Sequence, residues 1–178
     1  MLEVGMERSL CAAVLDKIDE QIERTDHLAA LLPPSAVDWR PAIPGAFPAG
    51  VLLGHLLECL AGFCAVLYAV RPGQLSHFQD LRGLPVNHRC MPVEARERIA
   101  TYRTRIAEGF ALLEDADLGR AIPTVFVRDG EPLLTLLLGN LEHLINHKHQ
   151  LFTYLELMGV QIGSRDLYRF RGIDRPDR

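Results

Sequence analysis

The sequence predicts an all-α fold, a four-helix bundle, and three observations carry that prediction. Four long stretches repeat their apolar residues at helical spacing, proline, glycine and short polar runs separate them, and no two segments alternate persistently enough to build a sheet. With 178 residues, 48% of them hydrophobic and 24% charged, the chain suits one domain, 1–178, of which 164–178 is a C-terminal tail.

Leu10, Val14, Ile18, Ile22 and Leu28 form the apolar stripe of the first helix, with Asp16, Lys17, Asp19, Glu20 and Glu23 between them and Pro33-Pro34 as its stop. A loop of prolines and small residues, 33–48, follows and contains the only tryptophan, Trp39. The second helix spans 47–70 and stops at Pro72-Gly73. It is nearly all apolar and long enough to cross a membrane, but His55 and Glu58 stand mid-run and no basic residue occurs before Arg71. A buried bundle helix is therefore the expectation, with no membrane as partner. Because its apolar residues lie nearly all round, it needs cover on several sides from its own bundle or a second subunit, and a homodimer is expected.

Residues 73–91 have no clean period and read as a connection with a helical turn. The third helix runs from about 93 to 113, with Ile99, Tyr102, Ile106, Phe110 and Leu113 on one stripe and Arg96, Glu97, Arg103, Arg105 and Glu108 on a solvated face. Next, I-P-T-V-F-V-R-D-G-E suggests a short extended piece or hairpin turning at Asp129-Gly130. Glu131-Pro132 begins the fourth helix, which continues to Met158 with Gly159 as its stop. The long connections after the first two helices permit a crossover topology.

The composition also excludes functions. A net charge of −4 gives no broad footprint for phosphate backbones, and the one basic cluster, from Arg165 to Arg178, is interleaved with Asp166, Asp174 and Asp177, so no nucleic acid is expected as a partner. Cys11, Cys59, Cys64 and Cys90 show no C-x-x-C spacing and residues 1–20 lack a secretory signal, which predicts a reduced, cytoplasmic protein. No Gly-rich phosphate loop is present, and Ser35, Ser76 and Ser164 have no nucleophile-elbow context.

What remains is histidine. N-L-E-H-L-I-N-H-K-H-Q, from Asn140 to Gln150, places three imidazoles in seven positions of a helix where Leu, Ala or Lys would serve stability better. His143 and His147 are four residues apart and share a face, with Asn140 a turn before and Gln150 a turn after, while His149 points elsewhere, toward solvent. His55 adds an imidazole from the second helix, and bundles build metal sites from facing helices in this way. Three imidazoles and an open position would be a catalytic type of zinc site; imidazole suits nickel, iron and copper as well. On the residues alone a second reading stays open, in which these are packed histidines satisfied by carbonyls. Leu144 stands where a metalloprotease needs its glutamate, which disfavours peptidase chemistry. Glu58 either orients a ligand imidazole or pairs with an arginine, and Cys59 either approaches the ion or packs as a small hydrophobe. His77 and His88 fall in the irregular connection as surface residues, and Asp115 and Asp117 mark a helix end and loop.

G-H-L-L-E at 54–58 and N-L-E-H-L-I-N-H-K-H-Q-L-F-T-Y-L-E-L-M-G at 140–159 resemble the DinB-like (DinB/YfiT-like) proteins. Many members follow the last ligand with R-G-Q, and Lys148, His149 and Gln150 occupy those places here. The resemblance implies a four-helix bundle with a crossover, frequent homodimers, and a divalent metal ion, zinc or nickel, bound by His55, His143 and His147. It implies an enzyme in which the ion presents a low-molecular-weight thiol, or water, to a small-molecule substrate, as in thiol S-transferases; the alternative is a dimeric metal-binding or scaffold protein without catalysis. It assigns no acid, base or other catalytic residue.

Overall fold

Each apolar periodicity becomes a helix, and capping chemistry is identifiable at the start of the first and the end of the fourth. In the computed structural model, which describes residues 9–124 and 127–169, α1 is Leu10–Leu31, α2 Ala49–Val70, α3 Pro92–Phe110, α4 Leu133–Leu157 and the short α5 Ser164–Leu167. At the start of α1 the Ser9 hydroxyl accepts from the Ala12 N–H, and the Asp115 carboxylate accepts from the Leu10 and Cys11 N–H groups at 2.9 Å each. Three N–H groups that the helix itself leaves without a partner are thereby satisfied. α4 ends as expected at Gly159, whose φ of +82° places it in the left-handed region. The Gly159 N–H then donates to the Glu156 carbonyl and the Val160 N–H to the Leu155 carbonyl, the double closure that such a glycine permits.

Several boundaries differ from the expectation: α2 starts at Ala49 and not at 47, and α3 ends at Phe110 and not at 113. Ala121–Ile122 (β1) pairs antiparallel with Glu131–Pro132 (β2), so Glu131-Pro132 is spent in a two-rung ladder and α4 starts one residue later. Gly130, at φ +87°, makes that turn close against the Ile122 backbone. Val125 and Phe126 of the extended piece lie outside the described residues, as do 1–8 and the tail from 170 to 178. The connection 73–91 contains a longer helical piece than one turn, a 3-10 segment at Ser76–Gly83.

The helices form a square in which α1 packs on α3 and α4, and α2 packs on α3 and α4. Arg103 meets Asp19 and Arg96 meets Asp26 through paired guanidinium–carboxylate bonds, so α1 and α3 are antiparallel. Gly54 lies against His88 and Gly109 against Leu67, which makes α2 and α3 parallel. His55 meets His147 and Gly62 meets Asn140, which makes α2 and α4 antiparallel. The order is thus up, down, down, up. The chain crosses the diagonal after α1 and again after α3, and residues 71–91 run the length of the bundle to return to the top. Two arginines expected on the solvated face of α3, Arg96 and Arg103, are instead engaged by α1.

The core is centred on α2, where Leu52, Leu53, Leu56, Leu57, Leu60, Phe63 and Leu67 are all buried. Its mean hydropathy reaches 1.9, but 61% of that window is buried inside the protein, so α2 is a core helix. α3, α4 and the 3-10 segment supply that cover. On the far side of α4, buried Lys148 donates to the Gln21 Oε1 (2.6 Å) and to the Leu167 carbonyl (2.9 Å) and lies over the Tyr168 ring, tying α5 to the bundle. Burial pulls its amine down to about 8.

Candidate metal centre

Antiparallel packing of α2 on α4 carries the second turn of one to the middle of the other. His55 projects from α2, and His143 and His147, one above the other on α4, face it. The His55 Nε2 lies 3.1 Å from the His143 Nε2 and 3.0 Å from the His147 Nε2. All three rings are half-buried and meet edge to face, with centroids 5.0, 4.3 and 4.8 Å apart. The structure therefore brings together every residue that the sequence proposed as a ligand.

The opposite nitrogens determine what the cluster can do. The His55 Nδ1 lies 2.6 Å from the Asn87 Oδ1 and 3.0 Å from the Glu58 Oε2, and the His147 Nδ1 lies 3.0 Å from the Gln150 Oε1. These partners are acceptors, so each Nδ1 carries the proton and donates, and each Nε2 is left with a lone pair. Two lone pairs directed at one another across 3.0 Å repel unless a proton or a cation lies between them. Three nitrogens bound to zinc at about 2.0–2.1 Å stand roughly 2.9–3.4 Å apart for angles near 90–110°. The observed separations of 3.0 and 3.1 Å fall in that range, and the donor set fits a divalent ion. Burial, aided by the neighbouring His55 and His143, lowers the pKa of His147 and favours the neutral form that binds metal.

Around this triangle, Glu58 pairs with His55 from a side chain that is 43% exposed, the orienting one of its two anticipated roles. Cys59 lies behind the cluster, its sulfur within 4.8 Å of a ring nitrogen of His55 and of His143. Burial pushes that thiol up to about 12, so it is protonated at neutral pH. His149 is exposed and stacks on Phe152, away from the centre. His77 pairs with Glu108, and His88 with Glu94 beside buried Cys90. The His88 Nδ1 is buried without a partner, so its Nε2 holds the proton and donates to Glu94.

The residue that sequence reasoning missed is Asn87. It occupies a segment without periodicity, 32 residues from the ring it supports. Its one sequence signal was being an asparagine, a residue tolerant of the left-handed region, and its φ is +54°. The Asn87 N–H donates to the Gly54 carbonyl at 3.0 Å, and the Cys90 N–H to the Gly50 carbonyl at 2.9 Å, fastening the connection onto the first turns of α2.

The family model described as the DinB superfamily matches residues 17–151, a span that takes in all three histidines. The fold is similar to the crystal structure of a DinB-like protein, YjoA, from Bacillus subtilis. That likeness has a TM-score of 0.64 at 22% sequence identity and covers 84% of this chain and 94% of the other. No curated protein matches the sequence.

Proposed function

The chain belongs to the DinB superfamily, and from that premise we propose that it is a divalent-metal-dependent enzyme, a thiol S-transferase or hydrolase, whose ion is held by His55, His143 and His147. One observation carries this reading: two imidazoles are fixed by acceptors on their Nδ1 side, and their Nε2 lone pairs converge at 3.0 Å with His143 closing the triangle. When bound, the ion supplies Lewis acidity and a vertex at which a thiol or water is acidified. Three neutral ligands leave its charge undiminished.

The residues divide the remaining work. Asn87 and Glu58 hold the His55 proton on Nδ1, and Gln150 does the same for His147, so on these two rings the Nε2 that faces the centre is free to bind the ion. The protein's own thiols are poorly placed to serve as nucleophile, because all four cysteines are buried. A thiol nucleophile must therefore arrive as a small molecule, which favours a low-molecular-weight thiol as co-substrate.

The test is elemental analysis of chelator-free protein, followed by incubation of the loaded protein with thiols and electrophiles. About one divalent ion per chain is expected in the wild type. In His147→Ala metal and turnover should both disappear while the helical circular dichroism is retained. A full equivalent of metal in His147→Ala overturns the ligand assignment, and stoichiometric metal with no turnover leaves a metal-binding protein.

A further inference from the structure

The loop 33–48 holds five prolines and the only tryptophan, and the ligand set makes no use of any of them. It is not loose. The Ala49 N–H donates to the Trp39 carbonyl at 2.8 Å and the Gly50 N–H to the Val37 carbonyl at 2.7 Å, while Trp39 meets Tyr154 edge-on with ring centroids 5.4 Å apart. Tyr154 is buried, and its hydroxyl is satisfied on both sides: it accepts from the Gln150 Nε2 and donates to the Phe47 carbonyl, each at 3.1 Å. Because the Gln150 Oε1 accepts from the His147 Nδ1, one unbroken chain of hydrogen bonds runs from a ring of the histidine cluster to the backbone of Phe47.

At the end of that chain the Phe47 ring stands beside His55, with centroids 5.8 Å apart and planes tilted by 41°, yet the residue is 41% exposed. An aromatic left half in water by a loop that is otherwise pinned gives up burial it could have had. Pro44 and Pro48 on either side further restrict the backbone that carries the ring. A free aromatic face is thus held at the edge of the histidine triangle by buried polar contacts.

We propose that Phe47 is a specificity-determining residue of this site, selecting ligands in which the metal-binding atoms are attached to an apolar or aromatic group, and that Gln150 and Tyr154 are its positioning residues. This rests on the three-histidine reading above. The organic part of the ligand packs on the free face of Phe47 while its head group occupies the open vertex. Burial of a phenyl group against that face is worth about tenfold in affinity.

The test uses the full chain loaded with Co2+, titrated with acetohydroxamic and benzohydroxamic acids and followed by the cobalt absorbance. The two probes share a head group and differ in a methyl or a phenyl. Phe47→Ala is expected to weaken benzohydroxamate about tenfold and leave acetohydroxamate and cobalt content unchanged. Phe47→Leu should retain most of the preference, and Tyr154→Phe should lose part of it. Equal changes for both probes in Phe47→Ala, or none, overturn the specificity role. A Tyr154→Phe protein with wild-type selectivity overturns the positioning role. Absence of stoichiometric cobalt from the wild type overturns the metal site and this inference together, whereas bound cobalt with unaltered selectivity overturns this inference alone.

Discussion

His147 is asked to stay neutral, and its surroundings bias it that way: burial first, then two neighbouring imidazoles, lower its pKa. The consequence for the metal-free protein has a definite sign. The unfolded chain takes up a proton on this ring near the ordinary value of about 6.5, while the folded chain resists until a lower pH. Protonation therefore favours unfolding, and stability falls as pH drops from about 6.5 toward the folded pKa, with no contribution from this ring above that window. Denaturant midpoints of the metal-free protein should decline across that range, and the decline should be shallower in His147→Gln; an unchanged slope would contradict the assigned neutral state. Asn87 permits a cleaner separation of roles, because backbone and side chain contribute independently. Asn87→Gly suits the φ of +54° and removes the acceptor, whereas Asn87→Ala removes the acceptor and keeps a Cβ in the left-handed region without the local side-chain hydrogen bonding by which asparagine offsets a cost of about 1–2 kcal/mol. Both are expected to weaken metal binding about 10–100-fold, the usual cost of losing an orienting partner, and only the alanine should lower thermal stability appreciably. If Asn87→Gly bound metal at wild-type strength, Glu58 alone would be orienting His55.

At the scale of elements, the connection between α2 and α3 does more than join them. A Cβ on Gly54 would stand 2.0 Å from the His88 carbonyl oxygen and 2.7 Å from its nitrogen, and neither backbone atom can move without releasing Asn87 from His55. A Cβ on Gly62 meets only the Asn140 side chain, its oxygen nearest at 2.8 Å, which a rotamer change relieves. Gly54→Ala should therefore cost roughly 1–3 kcal/mol or more and weaken metal binding, while Gly62→Ala should be tolerated far better. Urea midpoints and metal affinities of the two variants distinguish these outcomes, and equal effects would refute the packing argument. The same comparison explains what the sequence made legible. α1, α2, α3 and α4 were readable because each has a long apolar stripe, closed in α1, α2 and α4 by a proline or glycine stop, and the His143–His147 pair because helical spacing fixes its geometry; without such a stop the third helix reads three residues too long. The connection 71–91 was not, since a segment that packs by backbone approach to Gly54 and Gly50 leaves no periodic trace. Asn87 was hidden with it, and so was part of the cover over α2 that the sequence had referred to a second subunit.

At the scale of the molecule, the histidine centre joins two helices that the chain reaches at very different times, α2 near the first third and α4 near the end. Neighbours around the square are α1 with α3, α3 with α2, α2 with α4 and α4 with α1, so no helix packs chiefly on its immediate predecessor except α3 on α2. The α1–α3 seam is fastened by the Arg103–Asp19 and Arg96–Asp26 pairs and the α1–α4 seam by Lys148 with Gln21. On the α2–α4 seam the polar contacts bring His55 to His143 and His147, and the His55 and His147 lone pairs repel each other without a cation. An ion at that point should therefore act as a cross-link between distant parts of the chain, bound by the folded state and not by the unfolded one. Linkage gives the size: free metal at about 100 times its dissociation constant stabilises the fold by roughly 2.7 kcal/mol. For a domain of 150–250 residues each kcal/mol raises the melting temperature by about 2–4 °C, so saturating zinc or nickel should raise it by roughly 5–11 °C. His147→Ala should show no such rise, because two imidazoles without the third hold the ion too weakly at the same concentration. Calorimetric scans of both proteins with and without metal decide the matter. A metal-independent melting temperature in the wild type, at concentrations where elemental analysis finds a bound equivalent, would mean that the ion sits elsewhere or binds the unfolded chain equally well.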